Sequence, residues 1–160
     1  MIGIRGIKMS EQQTVYNNEL IGLISIMSVL KYHKEMSIGK AMLILPFFSH
    51  KNTLKILKRK NIKIRSLEEF IIKYPSSFSN FDERFQSLLT ISINSIILLN
   101  RMKLINIKNG HLFLVEQNEF ELENKSLGNR AKEIIQGAEN LSQILLEDTN
   151  NLYLQLRVEL

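Results

Sequence analysis

The sequence predicts an α+β fold that is predominantly helical, and three observations carry that prediction. Apolar residues recur at helical spacing along most of the 160 residues. Between Phe81 and Lys103 they form one long stripe, Phe85, Leu88, Leu89, Ser92, Ile96 and Leu99. Directly after it, Leu104–Ile107 and His111–Val115 flank Lys108-Asn109-Gly110, and Asn-Gly between apolar runs is a strong hairpin signal because both residues tolerate positive φ. A long helix feeding a tight hairpin is how a winged-helix module ends. The expected fold is therefore a winged-helix-like core with extra helices and a C-terminal strand. The same pattern also occurs in α+β units with no nucleic-acid role.

Taken in order, Ile2, Ile4 and Ile7 read as a short strand before the polar run Ser10–Gln13. Asn17 or Asn18 caps the next helix, with Glu19 in its first turn. Leu20, Leu23, Ile24, Met27 and Leu30 form its stripe, widened by Ile21 and Ile26; with no charge after Glu19 as far as Leu30, this helix is central. Tyr32–Lys40 is a polar joint. Ala41–Leu45 is a short buried segment, helix or strand, and Pro46 is expected to break any helix and hold Leu45 extended. Ser49 caps a short helix over Asn52–Lys60, and Ser66-Leu67-Glu68-Glu69 has capping-box spacing for a helix to about Lys73, stopped by Pro75. Asp82 caps the long helix, and Arg101 and Lys103 close it. Phe120 and Leu122, among Glu116–Asn124, permit a strand. Lys125–Glu147 reads as a helix. Leu152, Leu154, Leu156 and Val158 alternate perfectly, as a strand with one apolar face does. That strand either closes the chain's own sheet or joins a partner's sheet through its edge.

The length fits a single domain over 1–160, with a core over about 15–117 and a C-terminal helix and strand over about 125–160. With no cysteine, disulfides, zinc–thiolate sites and thiol catalysis are excluded. The N-terminus has no signal-peptide apolar run and no stretch has the length of a membrane span. A cytoplasmic protein that does not engage membrane is expected.

No catalytic constellation is visible. His33, His50 and His111 stand in different elements without ligand-spaced partners. The two aspartates, Asp82 and Asp148, are far apart in sequence, and no carboxylate cluster offers a divalent-metal site. Ser37-Ile38-Gly39-Lys40 matches Ser-x-x-Lys without its companion motifs, and the full phosphate-loop pattern is missing. No enzyme activity, cofactor, metal or small-molecule substrate is expected. The charge pattern says more. Residues 31–65 hold ten basic side chains against Glu35 alone, whereas residues 116–160 hold four against nine acids. Two surfaces with different partners are expected. The candidate face is Lys51, Lys55, Lys58, Arg59, Lys60, Lys63 and Arg65, with 51, 55, 58 and 59 sharing one helical side. Such a run contacts phosphate backbone, or docks an acidic protein, or is simply solvated.

At Asn17-Asn18-Glu19-Leu20-Ile21-Gly22, at Leu43–Leu54 with its Leu45-Pro46, His50 and Thr53-Leu54, and at Arg84 with the helix and hairpin that follow, the chain resembles a known family. It is similar to the middle component of prokaryotic three-component ABC systems, which includes the small subunit of Lamassu anti-phage defence complexes. The likeness spans about residues 15–117. Where the family has Asn-Pro near its first helix, this chain has Asn18-Glu19. The resemblance implies a non-catalytic adaptor, comparable to the accessory subunits of SMC complexes. It would link an SMC-like ABC ATPase that senses foreign DNA to a nuclease-type effector, with double-stranded DNA met through the assembled complex. The rival expectation is a stand-alone winged-helix DNA-binding regulator.

Overall fold

The computed structural model describes residues 2–117, 120–122 and 127–160, with residues 2–17 as backbone. The elements are α1 (Ile2–His33), β1 (Glu35–Ser37), α2 (Ile38–Ala41), α3 (Ile44–Ser49), α4 (Lys51–Leu57), α5 (Leu67–Lys73), a 3-10 turn (Pro75–Ser77), α6 (Phe81–Arg101), β2 (Ile105–Lys108), β3 (His111–Leu114), α7 (Asn129–Ile144) and α8 (Thr149–Leu156). The fold is mostly helical with one three-stranded antiparallel sheet, ordered β1-β3-β2, as the α+β expectation has it.

The expected strand at Ile2, Ile4 and Ile7 is overturned: the helix begins there and runs unbroken through Asn17 and Asn18. Ile4 and Ile7 also satisfy helical spacing, and no Pro intervenes. Extending an existing helix by one residue is far cheaper than nucleating a new one. The segment after Glu19 is central as expected. Leu23, Ile24, Ile26, Met27, Val29 and Leu30 are all buried, against α6 on one side and α7 on the other. Two buried serines return their hydroxyls to the helix: Ser25 Oγ donates to the Ile21 carbonyl at 2.7 Å and Ser28 Oγ to that of Ser25 at 2.8 Å.

The segment around Pro46 is helical, not extended. Pro46 is the third residue of α3, in the first turn, where backbone N–H groups have no intrahelical acceptor and a missing one costs nothing. Phe47 and Phe48 follow it into the core. Phe47, Phe70, Phe78 and Phe81 meet edge-on or tilted with centroids 4.9–6.4 Å apart. Ser66 caps α5 as expected, its Oγ accepting from the Glu69 N–H at 3.1 Å; Glu69 reaches back to the Arg65 N–H at 3.0 Å. The cap of α6 is Asn80 in place of Asp82. Asp82 Oδ1 instead accepts from the Glu159 N–H at 3.1 Å, tying the C-terminal residues to the start of α6.

The hairpin is as expected. Lys108 pairs with His111 across Asn109 and Gly110, whose φ values of 51° and 74° are those of a two-residue type I′ turn. The sheet's third strand, β1, came from the polar joint, where Met36 faces Leu112.

At the C-terminus the alternating run is α8, not a strand. Asp148 caps it, accepting from the Asn150 and Asn151 N–H groups at 3.0 and 3.3 Å. Leu152 and Leu156 are one helical turn apart and buried, while Leu154 is 76% exposed. Period two and period 3.6 coincide at every fourth residue, and the cap decides between them. Of the region 116–124, the described residues Phe120 and Leu122 are not in a strand; residues 118, 119, 123 and 124 lie outside the described ones. The expected helix over Lys125–Glu147 is α7, with Ala131, Ile134, Ala138, Leu141 and Ile144 inward; residues 125 and 126 also lie outside. Among the described residues no helix is long and apolar enough to cross a membrane.

Candidate anion-binding cleft

The basic segment is placed by a short helix and its cap. His50, not Ser49, caps α4: its Nδ1 accepts from the Thr53 N–H at 3.3 Å and meets Thr53 Oγ1 at 2.8 Å. Accepting from an amide needs an unprotonated Nδ1. Burial, and then the Arg84 guanidinium nearby, push the His50 pKa below its ordinary value. Thr53, Leu54 and Leu57 point inwards, while Lys51 and Lys55 are exposed.

The helix ends at Leu57, with Lys58 as its αR C-cap still bonded from its N–H to the Leu54 carbonyl at 3.0 Å, so of the expected face 51, 55, 58 and 59 only Arg59 lies beyond the helix and its cap. Lys58 begins the turn, held by Arg59 N–H to the Ile56 carbonyl at 3.2 Å. Ile64 and Leu67, both buried, pin the far end of the loop. Its near end is fixed by α7. Asn140 Nδ2 donates to the Leu57 carbonyl at 2.8 Å. A Cβ on Gly137 would stand 3.2 Å from Leu57 Cβ, so the two helices touch there.

Between this loop and α7 lies a cleft of about 710 Å³. Lys58, Arg59, Lys60, Lys63 and Arg65 line it from the loop. Gln136, Glu139, Asn140 and Gln143 line it from α7, and Tyr32, 53% exposed, comes from the last turn of α1. Burial, helped by Glu139, raises the Tyr32 phenol pKa. Lys58 Nζ stands 3.6 Å from Glu133, a pair exposed enough to contribute little. Thus five of the seven predicted cations come together, and Lys51 and Lys55 lie outside the cleft. Two of the nine acids of the C-terminal segment, Glu133 and Glu139, border the basic loop.

The amides of α7 were missed in the sequence because they lie about seventy residues beyond the basic run, and Tyr32 because it stands in a different helix from the candidate face. Tyr32 between Lys31 and His33, at the polar end of an apolar helix, was the available signal.

Other candidates resolve into local structure. Ser37 Oγ accepts from the Lys40 N–H at 3.1 Å and meets Thr149 Oγ1 at 2.9 Å, so the Ser-x-x-Lys tetrapeptide is a helix cap. His33 Nε2 lies 2.7 Å from the Ser142 carbonyl, and His111 Nδ1 3.1 Å from that of Asn109. Arg84 donates to the Pro46 and Ser77 carbonyls at 3.3 and 2.8 Å, with its guanidinium over the Phe81 ring. Tyr153 donates to the Gly39 carbonyl at 2.6 Å, and burial pushes its pKa up to about 12. Of the predicted partner-strand residues, Leu152 and Leu156 are core, Val158 is half-buried and Leu154 is on the surface. Among the described residues no group of three or more His, Asp or Glu side chains is placed to hold a metal ion.

A family model described as the ABC-three component (ABC-3C) system Middle Component 3 matches residues 8–160. No curated protein and no solved structure matches the chain.

Proposed function

The chain belongs to the Middle Component 3 family of ABC-three component systems, and from that premise we propose that it is a non-catalytic adaptor. In this reading it links an SMC-like ABC ATPase to a nuclease-type effector, within a Lamassu-type defence complex in the cytoplasm. The family match over nearly the whole chain carries the proposal. The local roles of the three histidines and of the Ser37 hydroxyl support the absence of catalysis, since each side chain is engaged in a cap or a backbone contact. The basic face meets an anionic partner, either nucleic acid met in the complex or an acidic patch on another subunit.

A winged-helix-like core is supported by the strand order β1-β3-β2 with helices between β1 and the hairpin. The rival, a stand-alone regulator, would send the helix before the hairpin into a major groove. That helix is α6, and from Gln86 to Asn100 it carries no charge. Its outer face shows Ile93 and Ile97, each more than 40% exposed. Phosphate-rich grooves do not select such a face, whereas a protein partner does.

Co-expression with the products of neighbouring reading frames tests the proposal. The adaptor emerges from size-exclusion chromatography with both the ATPase and the effector. A chain that elutes alone, or as a dimer that shifts a specific duplex, refutes it. Metal-dependent DNA cleavage or ATP hydrolysis by the isolated chain refutes the non-catalytic part.

A further inference from the structure

The cleft beside α7 is chemically lopsided. The loop wall carries Lys58, Arg59, Lys60, Lys63 and Arg65 together with Ile62 and Ile64; the α7 wall carries Gln136, Asn140 and Gln143 with Ile135 and one carboxylate, Glu139. Tyr32 adds a half-exposed ring. A ligand that fills this space has an anionic edge for one wall and a neutral, hydrogen-bonding edge for the other. An acidic peptide is a poor match, because its carboxylates alternate along an extended chain and some would face Glu139. A duplex is a poor match as well, since its bases are stacked inside and its two phosphate rails would leave Tyr32 and the amides without partners. A single nucleic-acid strand has the required asymmetry: phosphates along one side, and on the other bases that stack on aromatic rings and bond to amides.

We propose that the cleft between residues 58–65 and α7 binds one strand of nucleic acid. Its phosphates lie along Arg59, Lys60, Lys63 and Arg65, one base lies against Tyr32, and base edges meet Gln136 and Gln143. This goes beyond the adaptor reading, which needs no nucleic-acid contact by this subunit.

The test is fluorescence anisotropy on the full chain with a labelled oligothymidylate of about ten nucleotides, within the usual site size for such grooves. A duplex of equal length and a polyglutamate peptide serve as competitors. The expected result is binding of the single strand in preference to both, with log Kobs falling by about 0.7 per phosphate contact for each tenfold rise in salt. Lys60→Gln with Lys63→Gln lowers that slope by about 1.4, two contacts' worth. Tyr32→Ala weakens binding by about 5- to 150-fold, the range for losing one stacked base, while Tyr32→Phe retains it. Circular dichroism melts of each variant check that the fold persists.

Equal or tighter binding of the duplex, with Tyr32→Ala unchanged, overturns the proposal in favour of simple backbone docking. Displacement by polyglutamate, or loss of the other subunits on Tyr32→Ala, overturns it in favour of a protein dock. No binding by the wild-type chain overturns it outright. Each of these leaves co-purification of the wild-type subunit untouched, so the adaptor proposal stands or falls separately.

Discussion

Gly22→Ala is expected to destabilise the protein although alanine is the better helix former. Gly22 sits in α1 where α6 crosses it. A Cβ there would stand 2.2 Å from Ser95 Oγ and 3.2 Å from Ser95 Cβ. Ser95 is fully buried, and its Oγ donates to the Ile91 carbonyl at 2.7 Å and, more weakly, to that of Glu19 at 3.3 Å. Rotating the hydroxyl away forfeits both bonds and still leaves the Cβ contact, so the helices must separate. Overpacking of this kind costs about 1–3 kcal/mol, against a helix-propensity gain of about 0.5–1 kcal/mol. Taking the middle of each range, the net loss is about 1 kcal/mol, or a fall in Tm of roughly 3 °C for a chain of this size. Adding Ser95→Ala removes the closest clash, so the double variant is less damaged than the two single changes predict together. Urea melts of all four proteins give the coupling. A Gly22→Ala variant as stable as wild type, or strict additivity with Ser95→Ala, refutes this account of the α1–α6 contact.

Gly110→Val probes the hairpin: its φ of 74° is poor for a β-branched residue and no atom crowds its Cβ position, so the cost, at least ~1 kcal/mol, is backbone strain alone; an unchanged Tm counts against the turn. Asp148→Ala removes the cap of α8 and is expected to lower stability by about 1 kcal/mol, read as a lower urea midpoint at an unchanged m-value. For His50 the folded pKa lies below the unfolded value of 6.5. The unfolded chain therefore binds the proton first, and this stability is complete above that value and lost as pH falls through the lower folded one. Wild type should lose more stability than His50→Asn between neutral pH and about pH 5, because Asn caps without titrating in that range; parallel losses would sink the capping role.

Legibility followed locality. The hairpin, the α5 capping box and the stripes of α6 and α7 depend on residues within a turn or two of one another, and each was visible. Pro46 misled because a proline is tolerated in the first turn of a helix, and nothing nearby in sequence marks that turn. The C-terminal alternation misled because Leu152 and Leu156 satisfy both periods; Asp148 followed by Asn150 and Asn151 was the deciding signal. β1 was invisible for another reason. Glu35-Met36-Ser37 has no strand pattern of its own, and only pairing with β3 makes it one. At the site, the cations were legible as a run, but the cleft was not, because its other wall comes from α1 and α7.

That difference bears on what the charge means. Five cations in one loop, four of them exposed and Lys58 half-buried, cost little when solvated, because water and salt screen such charges. Their mutual repulsion is therefore a weak argument for any ligand. Arrangement is the stronger one. Among the described residues only Lys58 of the five has its side-chain charge within 4 Å of a carboxylate. The loop that carries them is fixed at both ends, by the Asn140 bond to the Leu57 carbonyl and by buried Ile64 and Leu67. A merely solvated face has no use for such anchoring, whereas a binding wall gains from it, since less order remains to be imposed when the ligand arrives. Gly137 is what lets α7 come close enough to anchor the loop, with Leu57 Cβ and Phe48 Cε1 only 3.2 and 3.4 Å from its missing Cβ. Gly137→Ala should thus weaken oligothymidylate binding by displacing the loop, even though it adds no charge and touches no ligand. Anisotropy on folded variant at wild-type affinity would show that the loop's position does not matter, and with it that the cleft is not the unit that binds.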